Sequence, residues 1–247
     1  MRIAALALFA LNIMLASAAQ AEVKNIVIVH GAFADGSGWK PVADVLEHDG
    51  YTVQVVQEPL TSFDADVAAT RFVLDRSGPS VLVGHSWGGM VITEAGDHPS
   101  VRSLVYVAAF APEVGETAAG LQSRNPPAST AVTPVGGGFV AVKQELFHQD
   151  VAADLPAGPA HFAAISQVPI AGDSFAATVK VAAWSKKPSY AVIATQDRMI
   201  NPELERFMAK RANSEAIEIA GSHVIFLSHP KEVAALIEKA AEAVHAH

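Results

Sequence analysis

The amino-acid sequence predicts an α/β protein built on a mostly parallel sheet with helices on both faces. Short runs of β-branched and apolar residues alternate along the chain with segments of helical spacing. The first of these runs is uninterrupted, as a strand buried on both faces requires. Repeated strand–helix units favour a parallel sheet, and ligands of such sheets lie beyond the carboxyl ends of the strands.

The alternation is clear in two parts of the chain. Before residue 110, we predict strands at 25–29, 51–56, 80–83 and 101–108, and helices at 39–48, 64–75 and 86–96. After residue 188, we predict strands at 190–194 and 216–219, and helices at 202–211 and 229–244. In the second helix, the spacing of Val67, Phe72 and Leu74 suggests a shared apolar side.

The region between these two parts breaks the pattern. Residues 110–180 are rich in Pro and Gly and hold only short helical pieces. An irregular insertion of this length is more often a functional lid than a connector. A second small domain is the alternative, but no separate apolar core pattern supports it. We predict a single domain over residues 22–247, with a lid insertion at about 110–180.

Composition excludes several classes of function. The 247 residues carry a formal net charge of −8 and no basic stripe, which argues against a nucleic-acid partner. The absence of cysteine excludes disulfides, Cys-ligated zinc, iron–sulfur clusters and a Cys nucleophile. Apart from His245 and His247 in the C-terminal tail, the histidines lack the close spacing of a zinc site, so we predict neither a metal nor an organic cofactor.

The N-terminus reads as a secretory signal peptide. Arg2 is followed by an apolar run over residues 3–15 and by the small-x-small pattern Ala19-Gln20-Ala21. The run is shorter than the roughly 20 residues of a membrane-spanning helix, which disfavours the alternative of an uncleaved anchor. We therefore expect residues 1–21 to be removed, a periplasmic or secreted protein, and no membrane span after cleavage.

One motif points to a nucleophile. Gly84-His85-Ser86-Trp87-Gly88 matches G-x-S-x-G between a predicted strand and a predicted helix, which is the context that this motif needs. The two glycines permit a tight turn, and Ser86 would project its hydroxyl at a helix N-terminus. The alternative is a Gly-rich loop in which Ser86 caps the helix.

A serine hydroxyl needs a general base. His223 follows the last predicted strand in Gly221-Ser222-His223, and its position fits better than that of the other histidines. Packing is the expected role of His85. Asp197 ends the strand at 190–194 and is the predicted acid that orients the imidazole. Other acids open to this role are Glu113, Glu116 and Asp173.

Two backbone N–H groups should stabilise an oxyanion. Trp87 follows the nucleophile and is one predicted donor. Gly31 lets the loop after the first strand turn toward Ser86, which makes Ala32 the second predicted donor and Phe33 the alternative.

These residues give the chain a family resemblance. It resembles the α/β-hydrolase superfamily over nearly all of residues 22–247, in particular the branch of small esterases that includes plant methylesterases and hydroxynitrile lyases. The resemblance implies an α/β-hydrolase fold in which the residues above serve as oxyanion loop, nucleophile, acid and base. The motifs that carry it are Val29-His30-Gly31-Ala32, Gly38-Trp39, Gly84 to Gly89, Val105 to Phe110, Thr195-Gln196-Asp197 and Gly221-Ser222-His223.

Two features separate the chain from relatives with other chemistry. The hydroxynitrile lyases have a Lys after the catalytic His and a Thr in the oxyanion loop, where this chain has Val224 and Gly31. The haloalkane dehalogenases and epoxide hydrolases of this fold use an Asp nucleophile, which Ser86 replaces.

The resemblance and the residues together predict an exported serine hydrolase that cleaves small carboxylic esters through an acyl-enzyme on Ser86. The same triad also serves lactonases, thioesterases and cofactor-free perhydrolases, and a non-enzymatic binding protein is a further alternative. The insertion should supply the walls of the substrate pocket. Five aromatic residues are candidates for these walls: Phe139, Phe147, Phe162, Phe175 and Trp184.

Overall fold

A six-stranded parallel sheet forms the centre of the protein in the computed structural model, which describes residues 23–243. The predicted signal segment at 1–21 lies outside the described residues. The strands stand in the order β2-β1-β3-β4-β8-β9. Their bounds are β1 Asn25–Val29, β2 Thr52–Val56, β3 Ser80–His85, β4 Val101–Val107, β8 Ser189–Ala194 and β9 Glu215–Ile219.

Helices cover both faces of this sheet, as predicted. One face holds α1 (Lys40–His48) and α9 (Pro230–Glu242), which pack on each other and on the sheet. The opposite face holds α2 (Phe63–Leu74), α3 (Gly88–Ala95) and α7 (Pro202–Arg211). The short helix α8 (Ile225–Ser228) precedes α9.

Two apolar cores result from the alternation of side chains along each strand. In β1, Ile26 and Ile28 join the core under α1 and α9, whereas Val27 and Val29 join the core under α2 and α3. All four side chains are fully buried. The continuous apolar run predicted for this strand is therefore explained by burial on both faces.

Polar side chains mark where two of the helices begin. Ser62 accepts a hydrogen bond from the Ala65 N–H at the start of α2, and Asn201 accepts one from the Glu203 N–H at the start of α7. Such caps satisfy backbone donors that have no partner inside the helix. They set the first residues of α2 and α7.

The insertion is more ordered than the sequence analysis predicted. Besides the expected short helices, it holds a three-stranded antiparallel sheet in the order β5-β6-β7. Gly136, Gly137 and Gly138 all adopt positive φ in the tight turn between β5 and β6. The elements of the insertion are α4 Ala118–Arg124, β5 Val132–Gly136, β6 Phe139–Val142, α5 Gln144–Val151, α6 Ala157–Ile165 and β7 Ile170–Ala171.

Two details differ from the sequence-based expectation. Phe72 is exposed rather than sharing the apolar side of α2, because positions 67 and 72 lie about 140° apart around a helix of 3.6 residues per turn. Its ring instead lies 3.6 Å from the Arg76 guanidinium. The helix after the G-x-S-x-G motif begins at Gly88 rather than at Ser86.

Candidate active site

Ser86 occupies the sharp turn between β3 and α3. Its backbone has φ of +52°, in the left-handed region that non-Gly residues rarely adopt. The Ser86 N–H lies 3.2 Å from the Ala108 carbonyl, and the Ser86 carbonyl accepts a hydrogen bond from the Gly89 N–H. These contacts hold the strained turn, and strain of this kind is typical of functional positions.

The glycines around Ser86 allow backbones to approach each other closely. A Cβ at Gly84 would lie 2.6 Å from the Gly88 carbonyl oxygen, and one at Gly88 would lie 2.6 Å from the His30 carbonyl oxygen. A Cβ at Gly89 would lie 2.1 Å from the carbonyl oxygen of Phe110. Real side chains do not tolerate these distances, so the tight turn requires glycine at these positions.

The structure brings the three predicted catalytic side chains together. The His223 Nε2 lies 2.9 Å from the Ser86 Oγ, and the His223 Nδ1 lies 2.6 Å from the Asp197 Oδ2. The contact from Ser86 to His223 joins residues 137 positions apart in the chain. All three side chains are buried.

The Asp197 carboxylate fixes the proton on the imidazole. Its Oδ1 accepts hydrogen bonds from the backbone N–H groups of Met199 and Ile200, at 2.7 and 3.0 Å. Its Oδ2 then accepts from the His223 Nδ1–H, which leaves the lone pair of Nε2 directed at Ser86. This is the tautomer that a general base needs. Glu113, Glu116 and Asp173, the alternative acids, make no contact with His223 in the described part of the chain.

The loop after β1 passes directly beside the turn at Ser86. A Cβ at Gly31 would lie 2.9 Å from the Ser86 Cβ, so only glycine permits this approach. Across residues 23–243, the backbone N–H groups of Ala32, Phe33 and Trp87 donate to no protein acceptor. Both predicted donors are therefore among the N–H groups that no protein acceptor occupies in this part of the chain.

His30 anchors this loop from below. Its Nε2 accepts a hydrogen bond from the Glu58 N–H at 3.0 Å, so its Nδ1 carries the proton and lies 2.9 Å from the Gly31 carbonyl. Burial lowers the pKa of His30, which keeps the ring neutral. The neutral His30 ring therefore links the Gly31 carbonyl to the Glu58 N–H and fixes the loop in place.

His85 packs beneath the site, in line with its expected role. Its Nε2 lies 3.0 Å from the His223 carbonyl, and its ring meets the Phe226 ring edge-on at 4.8 Å. Burial, together with the neighbouring His223, holds the pKa of His85 well below its usual value. The neutral ring thus supports the backbone of the base.

Trp87 ties the nucleophile turn to helix α2. Its indole Nε1–H donates to the Asp66 Oδ2 at 2.9 Å, while the Asp66 Oδ1 accepts from the Leu60 N–H at 2.8 Å. Burial raises the pKa of Asp66, although these two hydrogen bonds oppose the rise. A buried carboxyl with two donors fixes the orientation of the residue after Ser86.

A cavity of about 440 Å³ opens beside the base. Its wall includes Ala32, Phe33 and His223; most of the other residues are apolar, and half of them come from the insertion. Phe147 and Phe162 line it, as predicted. The prediction was wrong for three residues: Phe139 lies in β6, Phe175 packs 5.4 Å from the Trp87 ring, and Trp184 donates to the Pro112 carbonyl.

The insertion also holds the loop that carries His223. Asp154 accepts a hydrogen bond from the Ser222 N–H at 2.9 Å and one from the Ser228 Oγ at 2.7 Å. The Ser222 Oγ also donates to Asp154. Burial opposes ionisation of Asp154, but these hydrogen bonds outweigh it and lower the pKa of the carboxyl.

A second acid of the insertion holds the loop that carries Asp197. The Arg198 Nε donates to the Asp150 Oδ1 at 2.8 Å, and the Ser129 Oγ donates to the Asp150 Oδ2 at 2.7 Å. Burial again opposes ionisation, and the donors outweigh it to lower the pKa of Asp150. Both loops of the site are therefore tied to the insertion.

Sequence reasoning missed Asp66, Asp150 and Asp154. A signal existed for Asp66, because it lies on the buried face of α2 beside Val67 and Thr70, where a charged residue is unusual. No local pattern marks Asp154, whose partner Ser222 lies 68 positions away. Over residues 23–243, no three acidic or histidine side chains gather as metal ligands would, and no helix has the length and hydropathy to cross a bilayer.

The chain is similar to known proteins in sequence and in structure. The sequence profile described as "Alpha/beta hydrolase family" matches residues 26–236. A carbendazim hydrolyzing esterase of Nocardioides sp. (strain SG-4G) is 31% identical over 46% of this chain and 53% of its own. The match thus spans about half the length of that relative.

Two further relatives cover most of the chain. The alpha/beta hydrolase nvfD of Aspergillus novofumigatus (strain IBT 16806) is 28% identical over 87% of this chain and 96% of its own. A pyrethroid hydrolase from Sphingobium faniae JZ-2 has a crystal structure that superposes with a TM-score of 0.74, with 22% identity over 91% of this chain and 100% of that one. The predicted α/β-hydrolase fold is confirmed.

The hydrogen bonds that Asp154 accepts from Ser222 and Ser228 lead to a stability prediction. Asp154→Ala should lower the free energy of unfolding at neutral pH by about 1 kcal/mol, because Ser222 and Ser228 lose a partly solvated charged acceptor. Since the pKa of Asp154 is lowered by folding, its contribution is present above the unfolded value of about 3.9 and is lost as the pH falls. Urea unfolding at several pH values measures this.

Asp173→Ala provides the matched control. Asp173 is an exposed acid of the same insertion and has no hydrogen bond or ion pair among the described residues. Its replacement should leave the free energy of unfolding unchanged at every pH. If the loss of unfolding free energy in Asp154→Ala persisted undiminished at acidic pH, the carboxylate charge would not be what stabilises these hydrogen bonds.

Proposed function

The chain belongs to the alpha/beta hydrolase family, and on this premise we propose that it is a serine hydrolase that cleaves small carboxylic esters through an acyl-enzyme on Ser86. One observation carries the proposal. The Asp197 carboxylate, the His223 imidazole and the Ser86 hydroxyl form a continuous hydrogen-bonded series with distances of 2.6 and 2.9 Å. Such a series turns a weak alcohol nucleophile into a reactive one.

The reaction proceeds in two halves. His223 Nε2 takes the Ser86 proton as Oγ attacks the ester carbonyl, and the Ala32 and Trp87 N–H groups stabilise the tetrahedral oxyanion. His223 then passes that proton to the departing alcohol, which leaves the acyl group on Ser86. In the second half, His223 takes a proton from water, the hydroxide attacks the acyl carbonyl, and the carboxylic acid leaves as Ser86 regains its proton.

The cavity supports uncharged, largely apolar esters as substrates. Its walls are formed mostly by apolar side chains such as Phe147, Leu155 and Phe226, with a smaller number of polar residues such as Gln167 and Asp35. A cavity of this size and character orients a substrate by shape and by a small number of polar contacts. The names of the carbendazim esterase and the pyrethroid hydrolase support hydrolysis of this kind.

Removal of the nucleophile tests the proposed reaction. Ser86→Ala should lower kcat for p-nitrophenyl esters by about 10³-fold or more, because no other group can form the acyl-enzyme. A fluorophosphonate probe should label the wild type and not this variant, as intact-protein mass spectrometry can measure. Ser123→Ala is the control, since Ser123 is exposed and contacts only the Ala119 carbonyl of its own helix.

Two outcomes would contradict the proposal. Full labelling and turnover by Ser86→Ala would move the chemistry to another residue. Folded wild-type protein that neither labels nor hydrolyses any ester of the panel would favour a binding protein on the same fold.

The cavity wall leads to a prediction on specificity. Ala163→Phe should lower kcat/KM for esters of long acyl chains by about tenfold or more, because Ala163 lines the cavity and a ring would fill it. Turnover of an acetate ester should change little. Ala157→Phe lies on the exposed side of the same helix and serves as the control. Equal losses of kcat/KM for short and long esters would show that the cavity does not bind the acyl chain.

We also propose that the protein is exported, on the basis of Arg2, the apolar run and the cleavage pattern before Glu22. Expression of the full chain in a Gram-negative host should yield periplasmic or secreted protein whose intact mass begins at Glu22. Ala21→Arg should block the cleavage, because the residue before the cut must be small. Full-length wild-type chain that stays in the cytoplasm would overturn the proposal.

A further inference from the structure

We propose that Glu205 is a positioning residue that remains a neutral acid and donates a hydrogen bond to the Asp197 carboxylate, on the side away from His223. Glu205 would then moderate the negative charge that Asp197 presents to the imidazole. The inference rests on the proposed function, because it assigns Glu205 a place behind the acid of the same site.

Helix α7 carries Glu205 into the interior. Its buried face consists of Leu204, Glu205, Met208 and Ala209, so an acid stands where an apolar residue would be expected. Glu205 is 3% exposed. An acidic side chain at such a position is seldom retained without a polar partner.

The Glu205 carboxyl is anchored to the same peptide segment as Asp197. The Glu205 Oε2 accepts a hydrogen bond from the Ala194 N–H at 3.2 Å. The Ala194 carbonyl, in turn, accepts one from the Asp197 N–H at 3.1 Å. Both acids are therefore fixed on the last residue of β8, and their carboxyl groups come within hydrogen-bonding reach of each other.

A proton must lie between the two carboxyl groups. The Glu205 Oε1 has no donor among the described residues, and Asp197 already accepts hydrogen bonds on both of its oxygens. Two ionised carboxylates at hydrogen-bonding distance would repel each other. Asp197 accepts from two backbone N–H groups and from His223, whereas Glu205 accepts only from the Ala194 N–H, so the shared proton belongs to Glu205.

The surroundings agree with this assignment. Burial, followed by the charge of Asp197, raises the pKa of Glu205 well above its usual value. Arg206 is the cation that opposes the rise, but its guanidinium is already paired with Glu203 and Glu218. The Tyr106 hydroxyl, which shares a small cavity with Glu205, bonds to Thr93 instead.

The hydrogen bond has a consequence for the base. A donor on the far side of Asp197 draws negative charge away from the oxygen that faces His223. Asp197 then orients the imidazole while stabilising its protonated form less than a carboxylate without this donor would.

Two substitutions with side chains of similar length distinguish a neutral Glu205 from an ionised one. Glu205→Gln keeps an acceptor for Ala194 and a donor for Asp197, whereas Glu205→Met keeps neither. The titration midpoint of the His223 imidazole, measured by NMR without substrate, should be unchanged in Glu205→Gln. In Glu205→Met it should rise by about half a pH unit or more, because Asp197 loses its donor. The acid limb of kcat/KM should move with it.

The sign of the change decides the test. If Glu205 were ionised, both variants would remove a negative charge and the midpoint would fall in both, which would overturn the proposal. No change in either variant would make Glu205 a merely structural residue and would also overturn it. Because the NMR titration needs no turnover, a wild type without esterase activity would refute the proposed function and leave this test intact.

Infrared difference spectra provide a direct check that does not depend on Glu205→Met folding. Wild type minus Glu205→Gln should show a protonated-carboxyl band at neutral pH. Glu58→Gln is the matched control, since Glu58 is another buried acid whose pKa burial raises. It should remove its own carboxyl band and leave the His223 midpoint unmoved. Absence of the Glu205 band would overturn the proposal.

Stability gives an independent readout of the same proton. Since folding raises the pKa of Glu205, its contribution to stability is fully present below the unfolded value of about 4.3 and is lost as the pH rises toward the folded value. The wild type should therefore lose stability relative to Glu205→Gln as the pH rises above about 4.3. Parallel unfolding curves across this range would count against a retained proton.

Discussion

The hydrogen bond between His223 and Asp197 is the interaction on which the rest of the site depends. It places the proton on Nδ1 and so directs the free lone pair of Nε2 at Ser86. The surrounding contacts maintain this arrangement: two backbone N–H groups hold Asp197, and the neutral His85 supports the carbonyl of the base. The parallel sheet makes the meeting possible, because the three side chains follow β3, β8 and β9 at one edge.

A strained turn is kept in place by that same edge. Ser86 adopts a left-handed backbone conformation that costs free energy, and its N–H and carbonyl bond to the chain after β4 and to α3. Glycines on both sides let the backbones of β1 and α3 close around it. The sheet and its two cores supply the rigidity that holds this conformation, so the hydroxyl stands above the strands in a fixed direction.

The parts of the site that sequence could predict are those written in short local strings. Ser86, Asp197 and His223 each follow an apolar run, and parallel topology alone carries the ends of such runs to one place. The supporting acids depend on contacts that no local pattern records, such as Asp154 with Ser222. Glu205 left a weaker trace, as an acid in the apolar stripe of α7. The small sheet of the insertion was missed because Pro134 and three glycines are typical of loops, whereas here they form and flank a hairpin turn.

The insertion that forms part of the cavity wall also holds the two loops that carry Asp197 and His223. Asp150 reaches Arg198 next to the acid, and Asp154 reaches Ser222 next to the base. Replacing the insertion with that of a distant homologue would therefore replace Asp150 and Asp154 together with the cavity wall. Evolutionary drift toward new substrates is consequently constrained: sequence change costs least at wall positions such as Ala163, which lines the cavity and holds neither catalytic loop.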